Sequence, residues 1–141
     1  MAASVFDAGR LLRLLFVALV VVSALVGCNG GTVDRHALTN DSSTLDSIAC
    51  EGALLAADVA RGRTTSFYAR EQAEELGIQS SNLANALAKR EALPSIERAV
   101  RAKARHAATL TAVLRQLQDH PSDRSVGAVV ARRLTRLGGC S

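Results

Sequence analysis

Between residues 45 and 76 the chain places small or apolar residues at alternating steps of three and four. Positions 45, 48, 52, 55, 59, 62, 66, 69, 73 and 76 read Leu, Ile, Gly, Leu, Val, Gly, Ser, Ala, Ala and Leu. Such heptad spacing keeps one stripe on one face of an α-helix; a strand alternates sides at every residue and cannot use it. The register predicts one long helix over residues 44–76, opened by the S-x-x-D pair Ser43 and Asp46 and closed at Gly77. The stripe is bulky at its ends and small in its middle, so a partner helix can approach closely near Gly62 and Ser66. Arg61-Gly62-Arg63-Thr64-Thr65 supports a competing reading, a break. Glycine and paired threonines weaken a helix, and threonine can cap a new one.

A second helical pattern occupies residues 80–119, capped by Ser80 or Ser81. It turns Leu83, Leu87, Leu93, Ile96, Val100, Ala107, Leu110, Leu114 and Leu117 inward. Pro94 interrupts it, and proline costs roughly 3 kcal/mol inside a helix but suits a first turn, so a kink or a fresh start belongs there. His120-Pro121 closes the region. Ser122 or Asp123 then caps a short helix over residues 123–138, with Val126, Val129, Val130, Leu134 and Leu137 inward and Gly138-Gly139 as its stop. Strand-like alternation persists nowhere, and no internal repeat is evident. The expected fold is all-α, an up-down-up helical bundle. A length of 141 residues suits one domain. Aromatics are only 3 % of the chain, so the core must be built from Leu, Val, Ile and Ala.

The amino terminus has a different character. Arg10 and Arg13 precede an uncharged apolar run over residues 14–27, in which Ser23 is the one polar side chain. As a helix that run is about 21 Å long, short of a hydrocarbon core of ~30 Å. A positive segment followed by an apolar one of this length has the pattern of a secretory signal. An uncleaved anchor that borrows Leu11 and Leu12 is the other reading. The run ends in Leu25-Val26-Gly27-Cys28, which resembles the lipobox of bacterial lipoprotein precursors. The resemblance covers only the first 28 residues and implies nothing about the fold that follows. It implies that the Cys28 thiol receives a diacylglyceryl group and that residues 1–27 are then removed. Cys28 thus becomes the first residue of the mature chain, held on the outer face of a bacterial membrane, inner or outer, by two or three acyl chains. Residues 28–43, rich in Gly, Asn, Ser and Asp, read as a lipidated flexible tether, with residues 44–141 as the folded domain.

The same resemblance bears on the cysteines. The chain has three, an odd number for an oxidising compartment. With lipid on Cys28, Cys50 and Cys140 remain as a pair. At ~1.5 Å per residue, the first helix puts Cys50 about 9 Å above its base; the up-down-up path returns Cys140 to about 12 Å. Breaking the first helix alone, at Gly62, would separate them by tens of ångströms. Breaks at both Gly62 and Pro94 would satisfy the pairing in a more compact bundle.

No motif of catalysis or metal binding is present. None of Glu71, Glu74, Glu75, Glu91 and Glu97 has a histidine three residues on, as a di-iron bundle would need. His36, His106 and His120 are isolated, and no serine lies in a Gly-x-Ser-x-Gly elbow. No cofactor is expected. The net charge is +4, and all but two of the 17 basic residues are arginine. Arg98, Arg101 and Arg105 step along one helix face; Arg132, Arg133 and Arg136 do so on the last helix. Either set can be a solvated face or can contact anionic lipid or envelope polymer. Phe67 and Tyr68 are the only aromatics of the mature chain, too few for stacking along a nucleic acid; as neighbours they cannot both face one seam, so one of them should be exposed. The expected function is that of a membrane-anchored envelope lipoprotein acting as a binding or structural module, with envelope proteins or anionic polymer as partners and no enzymatic activity. The alternative is a small-molecule or metal carrier using the bundle interior.

Overall fold

The structure, a computed structural model, describes residues 32–140. Four helices follow one another: α1 Arg35–Arg61, α2 Ser66–Lys89, α3 Glu97–Asp119 and α4 Arg124–Gly138. Outside them the one β feature among the described residues is an isolated parallel bridge between Val33 and Ala92. The all-α up-and-down bundle anticipated from the sequence is present. Its arms are shorter and more numerous, because the chain breaks at both Gly62 and Pro94.

The first break replaces the single helix over 44–76. Gly62 takes the left-handed conformation (φ 66°, ψ 31°) that ends α1, and Arg63 N–H reaches back 2.8 Å to the Asp58 carbonyl. Glycine alone adopts that conformation without a Cβ penalty. Thr65 then caps α2 by accepting the Tyr68 N–H at 3.2 Å. The stripe survives the turn: Leu45, Ile48, Gly52, Leu55 and Val59 are buried on one arm, and Ala69, Ala73 and Leu76 on the other. Gly77 is not a terminus but lies inside α2. Ser80 does not cap a helix; it is fully buried, and its hydroxyl donates to the Ala107 carbonyl of α3 at 2.8 Å.

The helix also begins earlier than the polar composition suggested. Residues 35–43, read as part of a tether, form the start of α1, capped by Asp34, which accepts the Ala37 N–H at 2.7 Å. Its hydroxyls are satisfied within the helix: Thr39, Ser42 and Thr44 each donate to the carbonyl four residues back. The second break places Pro94 before α3, in a loop that ends with Ile96 N–H donating to the Leu93 carbonyl. Asp123 caps α4, accepting from the backbone N–H groups of Ser125 and Val126, and Gly139 (φ 61°) ends it.

In packing, α2 lies chiefly against α3 and α1 against α4, each pair antiparallel. The four helices meet at Gly52. A Cβ there would stand 2.8 Å from Leu114 Cδ2 of α3, 3.0 Å from Leu134 Cδ1 of α4 and 3.8 Å from Leu76 Cδ1 of α2. The main core gathers Leu, Val, Ile and Ala from every helix; a smaller one joins Val33, Leu87, Ile96 and Val100 at the α2–α3 loop. Leu93 and Val129, expected to point inward, are exposed at 46 % and 44 %.

Candidate functional surfaces

The first feature is covalent. Cys50 of α1 and Cys140, just past α4, form a disulfide with their Cα atoms 5.6 Å apart across a separation of 90 residues. The approach is possible because α4 runs back along α1 and ends close to it. A Cβ on Gly138 would come within 2.7 Å of Ala49 Cβ and 3.1 Å of the Asp46 carbonyl oxygen. The bridge closes the lower part of the α1–α4 pair, beside a shallow apolar groove containing Ala53, Leu54 and Ala131. Cys28, the expected lipid attachment point, and residues 1–27, the expected signal, lie outside the described residues.

The two arginine sets occupy different parts of the bundle. Arg98, Arg101 and Arg105 are exposed on the first three turns of α3, where Arg101 pairs closely with Glu97. Arg132, Arg133 and Arg136 are exposed on α4. There Arg133 donates to Gln116 Oε1 at 3.3 Å and Arg136 to the Arg132 carbonyl. Gln116 is near the far end of α3, about 22 Å along the helix from Arg101. Separate patches result, not one continuous basic face.

The patch at the α2–α3 loop has further parts that sequence reasoning missed. Val33 is 1 % exposed and its N–H donates to the Glu91 carbonyl at 2.9 Å, so the chain joins the bundle at this loop. Arg90 reaches to within 3.7 Å of Asp41 of α1. An open groove of about 570 Å³ runs along the α2–α3 pair here, with Leu87, Val100 and Ala104 on its floor and Arg90, Arg101 and Arg105 on its rim. The hint lay in the burial-prone Val33 beside polar neighbours, a signal too short for periodicity to detect. At the opposite end of α2 both aromatics are exposed, Phe67 at 76 % and Tyr68 at 55 %.

Among the described residues two carboxylates are perturbed, both at helix ends. The Arg61 side-chain hydrogen bond, aided by Arg63, holds Asp58 below the usual carboxylate value. The Ser125 hydroxyl, with the Val126 and Ser125 N–H groups, does the same for Asp123. Both serve helix termini, as cap and counter-ion. His106 is half-buried on α3, with no hydrogen-bond partner on Nε2. No group of three or more His, Cys, Asp or Glu side chains among the described residues is arranged to hold a metal ion. Nor is any described helix long and apolar enough to cross a membrane.

Compared with protein families, curated proteins and solved structures, the chain matches none. Its class is therefore defined by its own geometry, which among the described residues is a four-helix up-and-down bundle closed by one disulfide and carrying two separate arginine patches.

Proposed function

We propose that this chain is an exported lipoprotein, acylated at Cys28 and held on the outer face of a bacterial membrane, where its bundle acts by binding and not by catalysis. One observation carries the reading. Of three cysteines, the two in the bundle are bonded to each other, which leaves Cys28, in its lipobox context, as the thiol available for acylation. A structural disulfide suits an oxidising compartment outside the cytoplasm, the compartment to which a signal and lipobox would deliver the chain. The surfaces on offer suit contact more than chemistry: basic patches for anionic lipid or envelope polymer, and the exposed Phe67-Tyr68 pair for a protein partner. Gly52 and the leucines around it fill the middle of the bundle, which leaves a carried ligand no chamber at that level.

Replacing Cys28 by Ser and fractionating the envelope tests the reading. Unlipidated precursor of full length should accumulate. Normal processing and membrane retention of Cys28→Ser would overturn it. Crosslinking of the native protein in the envelope, followed by identification of the captured species, then names the partner.

A further inference from the structure

We propose that the α2–α3 loop end of the bundle docks on an anionic lipid bilayer, with Leu93 at the point of contact; this rests on the lipid-anchor reading above and adds an orientation to it. Val33 sets the orientation. Its burial and its hydrogen bond to Glu91 fasten the start of the described chain to the 90–96 loop. Val33 lies five positions after Cys28, and five steps of chain reach at most about 18 Å. A bundle joined to acyl chains through so short a segment keeps this loop close to the headgroups. The opposite end, with Phe67, lies about 33 Å further along α2.

The chemistry of the loop end matches that surface. Between residues 89 and 105 stand Lys89, Arg90, Arg98, Arg101, Lys103 and Arg105, against only Glu91 and Glu97. Glu97 is paired with Arg101, Asp41 of α1 lies 3.7 Å from Arg90, and nearby Asp34 is engaged as the α1 cap, which leaves Lys89, Arg98, Lys103 and Arg105 in excess. Leu93, beside Pro94, exposes its aliphatic side chain in the loop that joins the basic end of α2 to the basic start of α3. An exposed apolar loop residue flanked along the chain by cations is suited to the boundary between headgroups and acyl chains. The contact needs little intrinsic affinity, because the anchor makes it intramolecular and holds the loop at high effective concentration.

The chain contains no tryptophan, so a single introduced indole reports its own environment. Full-length Leu93→Trp protein, processed in a bacterial host and purified in detergent, is reconstituted into vesicles of brominated phosphatidylcholine with or without phosphatidylglycerol. With phosphatidylglycerol present, the indole at 93 should lose roughly half its emission, an effect reversed by high salt or by Arg98→Glu with Arg105→Glu. Phe67→Trp, at the far end, should be unaffected. Flotation of the same vesicles reports the anchor separately. Protein that floats while the indole at 93 is quenched no more than the one at 67 overturns the docking alone, as does quenching that ignores phosphatidylglycerol. Protein that fails to float overturns the anchor and the docking together.

Discussion

Gly127 of α4 rests directly on the backbone of α1: a Cβ at that position would stand 2.9 Å from the Ala56 carbonyl oxygen, and 2.8 Å from the Ala60 nitrogen. Backbone cannot withdraw as a side-chain tip can, so any side chain here forces the two helices apart. Gly127→Ala should destabilise the protein by about 1–3 kcal/mol despite alanine's better helix propensity. Urea unfolding followed by circular dichroism measures it, and unchanged or increased stability would show that α4 does not pack so closely.

Gly77 gives the opposite expectation. It lies inside α2, and a Cβ there meets nothing within 4 Å. Gly77→Ala should therefore stabilise by about 0.5–1 kcal/mol, through the lower backbone entropy of the unfolded chain. A destabilised variant would indicate that the helix ends near this residue, as its sequence context suggests.

That context shows how far the sequence carries. The core stripe was legible, because three-and-four spacing marks Leu45, Ile48, Leu55, Val59, Leu110, Leu114 and Leu117 whatever the helices do. The number of helices was not, because the turn at 62–65 returns the chain with its apolar face still in register, and a heptad pattern reads the same through a straight helix or a fold-back. The start of α1 was hidden for another reason: Thr39, Ser42 and Thr44 resemble a loop by composition, yet their hydroxyls bond to the turn before. Ser80 looked like a cap, since its buried partner, the Ala107 carbonyl, is 27 residues away. The arginine steps were visible; that α3 and α4 carry them to different parts of the bundle depends on topology and was not.

The bridge between Cys50 and Cys140 closes a loop of about 90 residues, spanning nearly the whole bundle. In the chain-entropy view such a link is worth about 4–5 kcal/mol. The double variant Cys50→Ala, Cys140→Ala, or the reduced protein, should lose stability on that scale in urea. Equal midpoints with and without reductant would mean that the two thiols are not joined.

Asp123 ties stability to pH. The Ser125 hydroxyl and two backbone N–H groups lower its pKa in the fold below the ordinary 3.8. A group depressed in this way contributes stability fully above the unfolded value, and the contribution disappears as pH falls through the folded one. Asp123→Asn keeps an acceptor but not the charge. Its melting temperature should fall below that of the parent protein at neutral pH, and the gap should close as the pH drops below 3.8. A gap independent of pH would remove the charge from the account.

The central claim concerns Cys28, and intact-mass spectrometry of protein extracted from bacterial membranes addresses it directly. The account predicts a chain that begins at Cys28, carries the added mass of a diacylglyceryl group on that residue, and retains the Cys50–Cys140 bond. A chain that still begins at Met1, or one whose Cys28 bears no lipid, would contradict it.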